Sequence, residues 1–248
     1  MCGRFTLTLN EKLLRELLNI SLDGLDFKPN YNIHPGANVP VVVAYDKPAV
    51  SFANPSEVTE EPAGADNLSD PTAVWTSARL MRWGLIPPWA KTPSTGYKMI
   101  NARGETVHEK PAFRRPFQKQ RCLVPADGFY EWQKHPNGKI PYRIMLPDNR
   151  PFTFPGLWEK WNSPNGEEVY SFTIITVDAS PSIRDIHNRM PVIFDNHPIR
   201  TAWLDLNTPL DELKGFLTPY DGELISYQVS TLVNSPKNNF PELIDRVS

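Results

Sequence analysis

Two cysteines in 248 residues, at positions 2 and 122, are too few and too far apart for a disulfide-stapled framework. No C-x-x-C pair occurs, so the paired thiolates of a zinc ribbon are missing and no metal or other cofactor is expected. No apolar run approaches the ~20 residues that a membrane-spanning helix requires. The first residues lack the basic-then-apolar layout of a signal peptide. Internal repeats and low-complexity tracts are also missing. The natural reading is a reducing, intracellular compartment in which both thiols stay free, with no membrane contact.

Proline, by contrast, is abundant. The 26 prolines are roughly twice the usual ~5%. Each one removes a backbone donor and fixes φ, so long helices and uninterrupted central strands are disfavoured. Strands are expected at 39–45 (VPVVVAY), 142–147, 151–158, 170–177, 191–194 and 224–230. Helices are expected at 10–20, with Leu13, Leu14, Leu17 and Leu18 on one face and Thr8 and Glu11 at capping-box spacing. Two more are expected at 197–206 and 209–217, each with a proline near its first turn. The acidic, non-periodic stretch 53–73 has the profile of a surface insertion between two strands. The sum is a single α+β domain over 1–248, a curled, mainly antiparallel and barrel-like sheet core with peripheral helices.

The net charge of −2 conceals an asymmetry. Residues 79–121 hold ten lysines and arginines against only Glu105 and Glu109, whereas 51–70 carry five acids and no base. A basic stretch inside an otherwise acidic chain points to an anionic ligand on one face; a solvated charged loop is the plainer alternative. Within it, RWGLIPPWAK (82–91) interleaves Trp83 and Trp89 with Arg82 and Lys91, a mixture that suits single-stranded nucleic acid. A core position is expected for at least one of these tryptophans.

Cys2 sits directly behind Met1, and its small side chain permits removal of that methionine. The exposed residue would then carry an α-amine with a pKa near 8 beside a thiol near 8.5. A 1,2-aminothiol can attack an amide with its own amine as base. It can also capture an aldehyde as a Schiff base and close a thiazolidine through sulfur. Gly3 lets backbone approach a ligand closely, and Arg4 could anchor a phosphate. In KMINARGET (98–106), strand alternation places Asn101, Arg103 and Glu105 on one face. In RCLVPADGFYEW (121–132), Glu131 lies between Tyr130 and Trp132, surroundings that desolvate a carboxylate and raise its pKa. Cys122 reads as a buried core thiol. In DIHNRMP (185–191), His187 has Asp185 and Arg189 within two residues on either side, a setting for proton transfer. His34, His108, His135 and His197 have weaker claims.

Together with YNIHPG (31–36), MRWGLIPPW (81–89), FTIIT (172–176) and VSTLVNSPKNN (229–239), these stretches resemble the SRAP family, SOS response-associated peptidase-like proteins that shield abasic sites in single-stranded DNA. The match runs in family order along essentially the whole chain. The resemblance implies a catalytic set of Cys2, Asn101, Glu131 and His187, with Cys2 forming a thiazolidine crosslink to the ring-opened abasic sugar. Asn101 is implied to position Cys2, and Glu131 and His187 to move protons in crosslinking and its reversal. Lyase activity through the Schiff base and self-removal of Met1 are further implications. DNA contacts are implied for Arg4, Asn32, Arg82, Trp83, Trp89, Arg103 and Arg189. His34 occupies a slot that often holds a small residue, the acidic insertion should project away from DNA, and LVNSPKNN should pack near the site.

The resemblance also implies a monomer that partners single-stranded DNA, located in the cytoplasm or nucleoid of a bacterium, or in the nucleus of a eukaryote. The end of the chain soon after the matched blocks favours a bacterial source. Two other readings stay open on the residues alone: an N-terminal-nucleophile amidase or peptidase, and a plain single-strand binder without covalent chemistry.

Overall fold

The computed structural model describes residues 2–18, 25, 27–44 and 76–247. Its strands are β1 (Phe5–Leu7), β2 (Asn30–Ile33), β3 (Asn38–Ala44), β4 (Thr76–Trp83), β5 (Asn101–Arg103), β6 (Arg121–Ala126), β7 (Gly128–His135), β8 (Gly138–Met145), β9 (Phe152–Asn162), β10 (Glu168–Asp178), β11 (Arg189–Pro191) and β12 (Ile225–Gln228). The helices are α1 (Glu11–Leu18), α2 (Pro111–Lys119), α3 (His197–Leu204) and α4 (Leu210–Gly215). The expected α+β class, with a mainly antiparallel, curled core, is what forms.

One sheet runs β12-β8-β7-β1-β2, antiparallel throughout. In the other, β4, β3, β6, β9 and β10 pair in that order, and β10 returns to β4, which closes a barrel-like ring. β5 and β11 extend β10 at its C-terminal end on opposite edges. Closure demands close packing at Gly156, where a Cβ would lie 2.7 Å from the Thr173 carbonyl oxygen and 2.9 Å from Cys122 Sγ.

The prolines explain how far each pairing extends. Pro40 pairs with β4 but lies outside the short β3–β6 ladder at Val42 and Val43. Pro155 pairs with Leu123 one residue beyond the last β9–β10 pair at Gly156. Pro141 pairs with Trp132 just before β12 joins at Tyr142. Pro40 and Pro155 therefore pair on one side only, and Pro141, whose carbonyl still accepts from Val229 N at 3.0 Å, forgoes only the bond its missing N–H would make.

The core joins the two sheets through Phe5, whose ring meets Trp83 edge-on at 5.1 Å and Phe154 at 5.7 Å. α3 seals the barrel's flank: Trp203 Nε1 donates to the Cys122 carbonyl at 2.9 Å, and Arg121 Nε donates to the Trp203 carbonyl at 2.6 Å. Cys122 is buried, as its apolar context suggested.

Some local details differ from expectation, among them the strand expected at 191–194, which ends as β11 at Pro191. Thr8 does not cap α1, because its hydroxyl donates to Asp127; Asn10 Oδ1 accepts from Leu13 N instead. Leu14 is buried and Leu13 is half-exposed, so these two neighbours of the expected apolar face do not share one environment. α2 forms despite Pro116, seated where the buried side of the helix meets the sheet. The 53–73 stretch lies outside the described residues.

Candidate active site

β1 is threaded between β2 and β7, with Phe5 opposite both Ile33 and Phe129. Beyond the regular ladder, Tyr130 N donates to the Arg4 carbonyl at 2.9 Å, so residues 2–4 continue along β7 toward Glu131. The opposite end of β1 is gripped by Asp127, which is 2% exposed. Its Oδ1 accepts from Thr6 Oγ1 at 2.5 Å, and its Oδ2 accepts from Thr8 N at 2.5 Å and Thr8 Oγ1 at 2.7 Å. Arg143, buried below, completes the cluster at 3.4 Å from Oδ1. The N-terminal residues are thus a fixed strand.

Cys2 is fully buried, and its thiol leans on the Arg4 carbonyl at 3.7 Å. Asn101 Nδ2 donates to the Cys2 carbonyl at 2.7 Å. Asn101 opens β5, which is set by parallel pairing to Ile174. The residue before it is held by Trp83, whose Nε1 donates to the Ile100 carbonyl at 2.9 Å. Among the described residues, Asn101 Oδ1 is buried without a hydrogen-bond partner, so the amide keeps one acceptor in reserve beside the N-terminal residue.

Glu131 is 3% exposed, and burial pushes its carboxyl up to about 7. Burial first, and the Glu131 charge second, push the Cys2 thiol well above its ordinary range. The resting thiol is therefore protonated, and a carboxylate that titrates near neutrality lies within electrostatic reach of it. His187 Nε2 stands 3.9 Å from Glu131 Oε2. Arg189 N donates to His187 Nδ1 at 3.0 Å, which assigns the proton of the neutral ring to Nε2, facing Glu131. Burial lowers the His187 pKa and keeps that neutral form at pH 7. Gln133 Nε2, donating to the Asp185 carbonyl at 3.1 Å, ties the His187 loop to β7. Four residues spread from 2 to 187 in sequence so come together at one place in the fold. Among the described residues, no group of three His, Cys, Asp or Glu is placed to hold a metal ion.

The flanking residues divide by their surroundings. Arg4 Nη1 donates to Asn32 Oδ1 at 2.6 Å and to the Val233 carbonyl at 2.8 Å. Asn32, 2% exposed, donates through Nδ2 to the carbonyls of Val233, Ser235 and Asn238. The LVNSPKNN segment does pack beside the site, and Asn32 is spent on holding it there. Trp83 is fully buried, stacked on Phe172 at 6.5 Å. Arg189 is engaged by Glu105 through both carboxylate oxygens, at 2.6 and 3.0 Å, and by Asp178 at 2.8 Å. Arg103 is exposed on β5, and Trp89 is 62% exposed. Arg82 lies with its guanidinium 5.0 Å from the centroid of the Tyr97 ring. Sequence reasoning passed over Asp127, visible only as a turn residue in PADG, and Tyr97, whose sole signal was its place directly before Lys98 in the basic segment.

The SRAP (SOS response associated peptidase) family profile matches residues 1–236. Abasic site processing protein YoqW of Bacillus subtilis (strain 168) is 44% identical over 250 residues, covering 99% of this chain and 99% of YoqW. Abasic site processing protein HMCES of Xenopus tropicalis is 34% identical over 243 residues, covering 89% of this chain and 67% of its own. A crystal structure of a Bacteroides thetaiotaomicron protein superposes with a TM-score of 0.78 at 24% identity, both chains covered in full, a likeness of fold. With a profile match from residue 1 to residue 236 and a relative 44% identical over nearly its full length, this chain belongs to the SRAP family.

Proposed function

We propose that this protein captures abasic sites in single-stranded DNA covalently through Cys2, once Met1 has been removed. The observation that carries the reading is the fixed, buried Cys2, its carbonyl held by Asn101 at 2.7 Å and its thiol coupled to a carboxyl that titrates near neutrality. Relatives named as abasic site processing proteins support it.

A ring-opened abasic sugar presents an aldehyde at C1′. The Cys2 amine adds to that carbon, and loss of one water gives the imine. The thiol then adds to the imine carbon: the C–S bond forms, the imine π bond becomes the nitrogen lone pair, and the sulfur proton is relayed to nitrogen. The five-membered thiazolidine closes with no further atom lost. Glu131 suits the relay because a carboxyl near 7 is populated in both forms at neutral pH. His187 Nε2–H, 3.9 Å from Glu131, suits proton delivery to the sugar O4′ as its ring opens. Asn101 fixes the Cys2 carbonyl, and its free Oδ1 suits acceptance from the new α-amine. The imine also permits β-elimination and strand cleavage, and ring closure by sulfur removes that intermediate. Exposed Arg103, Lys91 and Lys98 suit the phosphates on either side.

The test is a denaturing gel with intact mass, using protein verified to begin at Cys2 and a single strand bearing one abasic site. The expected adduct equals protein plus oligonucleotide minus one water, and it persists without borohydride. Cys2→Ala should give none. An adduct of equal yield from Cys2→Ala, or none from the native chain, overturns the reading.

A further inference from the structure

We propose that Tyr97 is a stacking platform for a base flanking the lesion, with the Arg82 guanidinium as its cationic backing. The inference rests on the DNA-capture reading above and adds a residue that sets which strands are captured well. With Trp83 sealed in the core, the exposed aromatic rings of the basic segment are Trp89 and Tyr97, the latter 57% exposed.

Tyr97 is held rigidly for an exposed residue. It rides on the 3-10 turn Pro93–Lys98, which is locked against the strand end at Gly84. There φ is +117°, and a Cβ would lie 2.7 Å from the Gly96 carbonyl oxygen. Arg82 lies 5.0 Å from the ring centroid while its Nη1 donates to the Gly36 carbonyl at 3.2 Å. A Cβ at Gly36 would come within 3.1 Å of the Tyr97 hydroxyl, so glycine there keeps space for the ring. A cation fixed over an aromatic ring strengthens that face's hold on the assembly and leaves the remaining surface to an unpaired base.

Position supports a base close to the reacting sugar. Tyr97 precedes Asn101 by four residues, so their Cα atoms lie within about 14 Å of each other, a few nucleotides at most. Lys98 beside it is exposed and suits a phosphate of the same strand. Stacking of one base on an aromatic side chain changes affinity by roughly 5- to 150-fold.

The experiment compares single strands whose one abasic site is flanked either by ordinary nucleotides or by tetrahydrofuran spacers, which lack both base and aldehyde. The second-order rate of adduct formation is measured at subsaturating protein. The native chain should lose about tenfold on the spacer-flanked strand. Tyr97→Ala should lose about tenfold on the base-flanked strand and show no further loss on the spacer-flanked one, and Tyr97→Phe should restore the native pattern. Equal losses on both strands, or none on either, overturn the inference. Non-covalent affinity for an intact strand is measured in parallel. A native chain that forms no adduct, while Tyr97→Ala still weakens that affinity about tenfold, overturns the capture reading and leaves the stacking role standing.

Discussion

Replacing Asp127 by alanine should destabilise the fold and release the N-terminal strand before the rest of the protein melts. The carboxylate accepts from Thr6 Oγ1, Thr8 N and Thr8 Oγ1 and faces Arg143, which is 3% exposed. Breaking a buried pair by removing one partner costs about 3–5 kcal/mol, because the remaining charge stays in the interior. Unfolding of a chain this size shifts by ~2–4 °C per kcal/mol, so Tm should fall by roughly 6–20 °C. Arg143→Met on top of Asp127→Ala should cost less than the sum of the two single changes, since no orphan cation is left. Because Asp127 fixes β1, alkylation of Cys2 by iodoacetamide should accelerate at temperatures well below Tm, with buried Cys122 as the internal reference. A loss under ~1 kcal/mol, or strict additivity in the double variant, would refute the idea that this cluster holds β1.

Glu131 links stability to pH. Its folded-state pKa of about 7 lies above the ordinary carboxyl value, so the folded chain binds this proton more tightly than the unfolded one. Stability should therefore decline as pH rises from about 4.5 through 7, by up to ~3 kcal/mol from this group. The difference in Tm between the native chain and Glu131→Gln should follow that window, and a difference independent of pH would dismiss the coupling. The two tryptophans of RWGLIPPW should separate cleanly. Trp83→Ala should cost ~3–5 kcal/mol in denaturant melts, whereas Trp89→Ala should leave the melt unchanged and weaken single-strand affinity several-fold; the reverse ranking would contradict their burial.

Much of this was legible in the sequence, for identifiable reasons. β3, β8, β9, β10 and β12 announced themselves as apolar or β-branched runs, and α3 and α4 through prolines at their first turns. The candidate residues Cys2, Glu131 and His187 could be singled out because an aminothiol at position 2, a carboxylate between aromatics and a histidine between charges each need few neighbours to be recognised, and the structure brings the three together. Other features depend on distant partners. α2 was hidden by Pro116, tolerated because its neighbours pack on the sheet. Nothing in PADG tells that Asp127 reaches back to Thr6, 121 residues away. Trp83 and Trp89 look alike in sequence and differ only because one side of the barrel closes over Trp83. Arg189 reads as a free cation until Glu105 and Asp178 are seen beside it.

The bond between Arg4 and the Val233 carbonyl spans 229 residues, and that from Asn32 to Asn238 spans 206. The strand that carries Cys2 therefore cannot be locked until a segment more than 200 residues further along the chain has been made. Until then Arg4 and Asn32 lack the carbonyls that hold them. Contacts of such separation form slowly, so a lag between the synthesis of the N-terminal strand and its anchoring is a property of this topology.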